Sequence, residues 1–364
     1  MPHATESESE PSSTYKNIQI KKLAPTFGAE VTGVDFSKPV EPEVFKEIHD
    51  AITEYGVLVF RRTGLDDEHH VAFSRLFGDL DDVKPYLTLG RKNRFAYDEL
   101  FDVSNLEDDG SLVQVDSKRD HTSRGNSLFH VDSSFNPRRA SYSLLRAHEL
   151  PPAAYGGNTD FADTRSAFDE LPVSLKTKLL EFNYIGAHSL WHSRKKACPS
   201  DSPFLRHVDP ESYPFGRHRI VQRHESSGRM NLYIANHLHH LERERERGPS
   251  TPVDGAGSLT QKRGPGGNDN DGSERALERV PEPEGTELIE TLLSHATQPQ
   301  FLLSVEWHDL GDLVIWDNTA VMHRAGEYKG MGKYRRDMRR TTVHDASGGA
   351  WGLNERTEER MGLP

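Results

Sequence analysis

The chain has 364 residues, with 57 acidic against 45 basic side chains and a formal net charge of −12. That balance argues against a nucleic-acid binder, which shows a basic surface, but leaves room for a small anionic substrate in a locally positive pocket. A single cysteine, Cys198, excludes an intramolecular disulfide framework and a CxxC zinc site. No apolar run reaches the roughly 18 residues of a membrane-spanning helix. The N-terminus lacks the basic-then-apolar order of a secretory signal, so the cytoplasm is the expected compartment.

Residues 1–15 are polar and acidic and read as a disordered tail. Order is expected from Ile18, with a glycine-bounded strand over Phe27–Asp35. A helix over Pro42–Tyr55 carries Val44, Phe45, Ile48 and Ile52 on one face. Val57–Phe60 reads as a buried strand, and Asp66–Phe77 as a helix closed by Gly78. This alternation suits a mixed α/β domain. Further on, Gly156–Phe161 is a turn opening a strand, Leu171–Phe182 a helix, residues 183–228 histidine-rich loops, and Met230–Ala235 a strand. Composition then breaks. Residues 242–284 hold alternating Glu and Arg, many glycines and "PEPEG", and read as a flexible insertion in one catalytic domain spanning 16–346. A helix (Thr286–His295), strands Phe301–Trp307, Leu313–Trp316 and Tyr334–Val343, and a C-terminal tail over 347–364 complete the prediction.

The chemistry gathers at Leu128-Phe129-His130-Val131-Asp132. On an extended strand residues i and i+2 share a face, so His130 and Asp132 converge as two-thirds of a 2-His-1-carboxylate triad, the usual holder of non-haem Fe(II). Nineteen histidines make chance pairs common, so a third ligand needs support beyond spacing. His323, which follows an apolar strand, is the candidate, although a lone histidine there is often structural. Its support is the segment Arg335–Val343. There Arg336 and Arg340, four apart, share a strand face and could hold two anions, an oxo-acid cosubstrate and an acidic substrate. The competing reading is an outward-facing basic strand. Arg335 and Arg339 are expected to face away.

Together with "FGAEVTGVD", "GVLVFRR", "AFSRLFGDL", "FHVDSSF", "GGNTDFADTRSAFDELP", "GDLVIWDN", "HRAGEY" and "RRDMRRTT", these residues resemble the Fe(II)/2-oxoglutarate dioxygenases of the taurine dioxygenase family, 2,4-dichlorophenoxyacetate branch. The resemblance implies a double-stranded β-helix core (a jelly roll, cupin-like) with flanking helices. It makes His130, Asp132 and His323 the iron ligands. Thr159 and Arg336 become the partners of 2-oxoglutarate, and Arg340, Asn126, Lys84 and His224 the substrate contacts. Lys84 also reads as an ordinary surface lysine. The chain departs from the branch at Asp109-Gly110-Ser111, where a second lysine is expected, and in the 242–284 insertion.

The implied reaction consumes O2 and 2-oxoglutarate, yields succinate and CO2, and hydroxylates a small carboxylate or sulfonate. An ether or C–S bond breaks where the hydroxylated carbon carries one. A homo-oligomer is expected, with neither nucleic acid nor membrane as partner. Two other readings stand beside this one: a metal- and 2-oxoglutarate-binding sensor without turnover, and a zinc hydrolase built on His237 and His239. The second lacks an HExxH motif.

Overall fold

The computed structural model describes residues 15–87, 92–244, 277–357 and 359. Sixteen strands and seven α-helices occur among them. The chain opens with β1 (Gln19–Lys22), β2 (Ala29–Thr32), α1 (Pro42–Tyr55), β3 (Val57–Phe60), α2 (Asp67–Ser74), β4 (Phe101–Ser104) and α3 (Lys118–Ser123). After the His130 segment come β5 (Ala140–Glu149), β6 (Thr159–Asp163), α4 (Thr164–Asp169), α5 (Val173–Phe182), β7 (Ile185–His188) and α6 (Leu190–Lys196). Then follow β8 (Gly216–Arg219), β9 (Val221–Arg223), β10 (Met230–Leu232), β11 (Leu238–Glu244), β12 (Leu277–Arg279) and α7 (Glu284–Ala296). The last strands are β13 (Leu302–Val305), β14 (Leu313–Asp317), β15 (Val321–Ala325) and β16 (Asp337–His344).

Local chemistry sets the opening elements. α1 starts on Pro42, whose missing N–H costs nothing in a first turn. It buries Ile48, Ala51, Ile52 and Tyr55, and it ends at Gly56, whose φ of 70° belongs to the left-handed region. A Cβ at Gly56 would also come within 2.9 Å of Arg165 Nη2, so helix stop and close packing both require glycine. The Asp66 carboxylate accepts the His69 N–H at 2.8 Å and caps α2.

A seven-stranded sheet runs in the order β1-β2-β3-β14-β5-β16-β4. It is antiparallel except where β2 meets β3. A three-stranded sheet, β13-β6-β15, packs against it. Strand alternation divides the large sheet cleanly. Val57, Val59, Leu145, Val314 and Trp316 meet Phe161, Val305 and Val321 of the small sheet. Leu58, Phe60, Leu144, Leu313 and Ile315 pack under α1 and α2. A third core joins α4, α5 and α7 to the four-stranded sheet β12-β11-β7-β8.

Three expectations need correction. Residues 183–228 contain β7, α6, β8 and β9 as well as loops. These strands are short, and they bury histidines such as His188 and His218, so no apolar alternation marked them. The stretch from Ser347, read as a tail, docks as far as Asn354. Ala350 is 2% exposed, the Arg139 N–H donates to Ala350 O at 3.0 Å, and the Leu353 N–H donates to Arg217 O at 2.9 Å. Glycine is the reason, because a Cβ at Gly352 would lie 2.2 Å from Arg217 O. At the rim of the expected insertion, β11 and β12 pair with Glu242 opposite Arg279 and Glu244 opposite Leu277. There the charged run forms specific pairs, Arg243–Glu278 at 2.8 Å and Arg217–Glu242 at 2.9 Å. The rest of the expected insertion, residues 245–276, and the expected N-terminal tail up to residue 14 lie outside the described residues.

Candidate metal centre and the pockets around it

His130 does not lie on a regular strand, unlike the sequence expectation. It makes one antiparallel bridge to His323 on β15, donating N–H to His323 O at 2.9 Å and accepting from His323 N at 2.8 Å. Three residues on, Ser133 turns the chain with a φ of 56°, a left-handed conformation that costs a non-glycine residue energy. The bridge joins two segments far apart in sequence and places their imidazoles 4.3 Å apart, centre to centre. Asp132 completes the cluster. One ligand atom from each of His130, Asp132 and His323 lies within 4.8 Å of the others, and the three side chains are only 5–6% exposed. Among the described residues no second group of three such side chains meets that geometry.

Hydrogen bonding prepares the donor atoms. The His130 Nδ1–H donates to Leu128 O at 2.7 Å, which leaves Nε2 unprotonated. The His323 ring turns Nε2 to within 3.7 Å of Asp132 Oδ2, and its Nδ1 is buried without a partner. Burial holds both imidazoles below their ordinary pKa, with mutual repulsion acting further on His323. Both are therefore neutral at pH 7, as metal ligands must be. Burial alone would raise the Asp132 pKa. The Arg340 guanidinium above all, with the Ser143 hydroxyl, outweighs it and holds the carboxyl at about 2. Two neutral imidazoles and one carboxylate converging on a buried point suit a ferrous ion.

Arg340 and Arg336 diverge from this point in an informative way. Arg340 donates from Nη1 to Asp132 Oδ1 at 2.6 Å and lies over the Phe101 ring at 5.2 Å. Tyr86 stands edge-on to Phe101 at 5.4 Å, and its hydroxyl accepts the Asn136 amide at 2.7 Å. Arg336 donates to Gly157 O at 2.9 Å and meets no carboxylate among the described residues. Burial pushes its guanidinium down to about 10, against a small opposing effect of Tyr328, so it stays charged. Thr159, two residues beyond Gly157, accepts the Trp307 indole N–H at 3.2 Å. In the β6–β15 register His323 faces Phe161 and Ala325 faces Thr159, so Thr159 shares the His323 face.

The other sequence candidates sit differently. Asn126 is exposed in the 3-10 turn Arg124–Ser127, which packs against β15. The Lys84 ammonium points outward to Asp98 at 3.0 Å. His224 donates from Nε2 to Asp317 Oδ2 at 2.9 Å and accepts from Ser227 at Nδ1. It lines a cavity of about 600 Å³ with Arg139, Tyr142, Arg223 and Asp345, to which none of the triad residues contributes. Arg335 pairs with Glu149, and Arg339 with Asp67, as alternation predicts. His237 and His239 do not share a site. The His237 ring lies 5.5 Å from His130, whereas His239 packs on His192 and His240.

His237 is thus a wall of the centre that sequence reading placed elsewhere. Its Nδ1 bonds Ser193 Oγ at 2.8 Å. Ser143 and Asn318 were missed as well, as was Trp316, which lies 4.5 Å from the His323 ring. The adjacency of Trp316, Asp317 and Asn318 in the chain was the available signal.

Comparison with known proteins agrees with this geometry. The family model described as "Taurine catabolism dioxygenase TauD, TfdA family" matches residues 19–342. The chain is 31% identical over 338 residues to an alpha-ketoglutarate-dependent 2,4-dichlorophenoxyacetate dioxygenase of Burkholderia sp. (strain RASC), covering 90% of this chain and 94% of the relative. It is 33% identical over 332 residues to the protein of that name from Cupriavidus pinatubonensis, covering 90% and 98%. A crystal structure of AAD-2 in complex with Mn(II) and N-oxalylglycine superposes with a TM-score of 0.73 at 33% identity, over 92% of this chain and all of that one. The chain belongs to the TauD, TfdA family of dioxygenases and is an enzyme that depends on Fe(II), 2-oxoglutarate and O2.

Proposed function

We propose that this enzyme hydroxylates a small organic anion carrying an aromatic group, with an aryloxy carboxylate as the favoured class. The carrying observation is the convergence of His130, Asp132 and His323, beside a guanidinium that lies on an aromatic wall. In this reading the three side chains hold Fe(II). The bound metal supplies the oxidising chemistry that converts 2-oxoglutarate and O2 to succinate and CO2 while one oxygen atom enters the substrate. Arg336, a buried cation without a carboxylate partner among the described residues, takes the distal carboxylate of 2-oxoglutarate, and Thr159 hydrogen-bonds it. Arg340 takes the substrate anion, and Phe101 and Tyr86 flank the ring, which fixes the C–H bond presented to the centre.

Hydroxylation of a carbon that bears an ether oxygen gives a hemiacetal, which breaks its C–O bond to release an alcohol or phenol and a carbonyl compound. Asn126, beside β15, is a further substrate contact. Lys84 and His224 could contribute only by exchanging Asp98 and Asp317 for the substrate. We also read the large sheet and the β13-β6-β15 sheet as the two walls of a double-stranded β-helix. They pack through Phe161 and Trp316, whose rings lie 5.6 Å apart. The single free thiol and the ferrous ion suit a reducing cytoplasm. No described helix is long and apolar enough to cross a membrane.

The test is succinate release by the full chain supplied with Fe(II), ascorbate, 2-oxoglutarate and a panel of aryloxy carboxylates, sulfonates and sulfate esters. Release stimulated by an aryloxy carboxylate and abolished in His130→Ala supports the proposal. Full turnover by the variant refutes the ligand assignment. Metal and 2-oxoglutarate binding without stimulation by any compound would favour a sensor.

A further inference from the structure

We infer that Asn318 is a positioning residue for the metal centre, acting through Ser143 and Trp316. The inference rests on the ligand assignment proposed above. Asn318 is fully buried, and four bonds occupy its amide. Its Oδ1 accepts the Asp132 backbone N–H at 3.0 Å and the Trp316 indole N–H at 3.1 Å. Its Nδ2 donates to Ser143 Oγ at 3.0 Å and to Ser141 O at 3.2 Å. The two N–H donors facing Oδ1 fix the amide's orientation, since a flipped amide would oppose donor to donor.

That orientation determines the Ser143 hydroxyl. Ser143 accepts from Asn318 Nδ2, so its own proton is directed to Asp132 Oδ2, which it reaches at 2.7 Å. The Arg340 guanidinium occupies the other oxygen. The carboxylate therefore cannot rotate without breaking a charge-assisted bond at each end. Trp316 carries the second route, because its indole N–H is anchored on Asn318 while its ring lies 4.5 Å from the His323 ring. One amide thus reaches two of the three ligands: Asp132 through both backbone and side chain, and His323 through packing.

Asn318 is itself held from behind. The Asn318 N–H donates to Ser141 O at 2.7 Å. The preceding Asp317 is fastened by His224 and by the Thr319 N–H and hydroxyl, at 2.9, 2.8 and 2.6 Å. This gives the His224–Asp317 pair a role away from the substrate: it stiffens the β14–β15 turn from which Asn318 projects.

Cobalt(II) provides a readout independent of turnover. Its dissociation constant, measured anaerobically by ligand-field absorption on the metal-free full chain, is expected to rise roughly 10- to 100-fold in both Asn318→Ala and Ser143→Ala. Ser143→Thr, which keeps the hydroxyl, is expected to bind near wild-type strength. The Asn318→Ala/Ser143→Ala double variant is expected to be less impaired than two independent losses would make it, since the two share the Ser143 proton while Asn318 alone also acts through the Asp132 N–H and Trp316. The thermal midpoint of each metal-free variant reports folding. If Asn318→Ala does not fold, the similarly sized Asn318→Leu replaces it, and Ser143→Ala against Ser143→Thr carries the test by itself. Wild-type cobalt affinity in Ser143→Ala and the Asn318 variant, or strictly additive losses, overturns the inference. Wild-type affinity in His130→Ala would overturn the ligand assignment instead, so the two failures are distinguishable.

Discussion

Two of the buried histidine–aspartate arrangements in this molecule, His224–Asp317 and His323–Asp132, have opposite character. At His224 and Asp317 the imidazole and carboxylate bond directly at 2.9 Å, while Ser227 and Thr319 occupy their remaining atoms. At His323 and Asp132 the closest approach is 3.7 Å. There the side chains face one another without a hydrogen bond, and the His130 ring stands beside them. The first pair is self-satisfied and belongs to the framework. The second keeps nitrogen lone pairs open toward a common point, at an energetic cost that a bound cation would offset. Residue type does not separate the two, but bonding capacity left open does.

The sharpest way to break this contrast is to remove one histidine from each. His130→Ala is expected to abolish succinate formation and metal binding, yet to leave the metal-free thermal midpoint within a few degrees, because among the described residues the ring's one hydrogen bond is to Leu128 O. A fall comparable to loss of a core residue would show that the centre supports the fold. Acidification extends the contrast to histidines that belong to neither group. Burial depresses His70 and His188 to about 3, with Arg146 adding to the effect at His70. An unfolded histidine near 6.5 takes up protons that these cannot. Stability is therefore full above about pH 6.5 and falls toward pH 3, and each residue costs about 2 kcal/mol at pH 5. Urea midpoints measured between pH 7.5 and 5 should decline, and His70→Gln should flatten the decline. A flat profile for the wild-type chain would refute the buried neutral state.

Arg336→Ala is expected to raise the KM for 2-oxoglutarate roughly 10- to 100-fold through loss of a charged hydrogen-bond pair. Arg340→Ala should raise the KM of the prime substrate instead. Equal effects of both variants on both compounds would erase the proposed division of labour. The smallest effect is expected at the saturated pair. His224→Ala should lower stability by about 1–3 kcal/mol, as loss of a buried hydrogen-bond partner does, while cobalt affinity falls less than in Ser143→Ala.

Much of the centre was legible because its signals are local. His130 and Asp132 lie two apart and converge, and Arg336 and Arg340 lie four apart, of which Arg340 reaches the centre through Asp132. The strand drawn under His130 was not formed, since a single bridge to His323 does that work and Ser133 turns the chain away. Asn318 and Ser143 stayed hidden for a different reason. They are small polar residues at the end of one strand and in the middle of another, and their importance arises only when β5 and β14 pair. Fold elements followed the same rule. α1 and β3 were legible from apolar spacing, whereas β7 and β8 were not, because buried imidazoles stand where apolar side chains would have marked a face. The C-terminal stretch, read as a tail, docks because glycine at 352 lets the backbone approach Arg217 O.

The pairing of β11 with β12 bears on how freely this chain can be rebuilt. Among the described residues, Glu244 and Leu277 are the last partners of an antiparallel ladder, so their backbones stand about 5 Å apart. Whatever joins them leaves and re-enters the body at adjoining points. An Asn-Gly connector should therefore close the hairpin in place of residues 245–276, and the shortened protein should retain its ferrous chemistry. A crystallographer or engineer could take that position as a port, for trimming the molecule or for grafting a new module onto it.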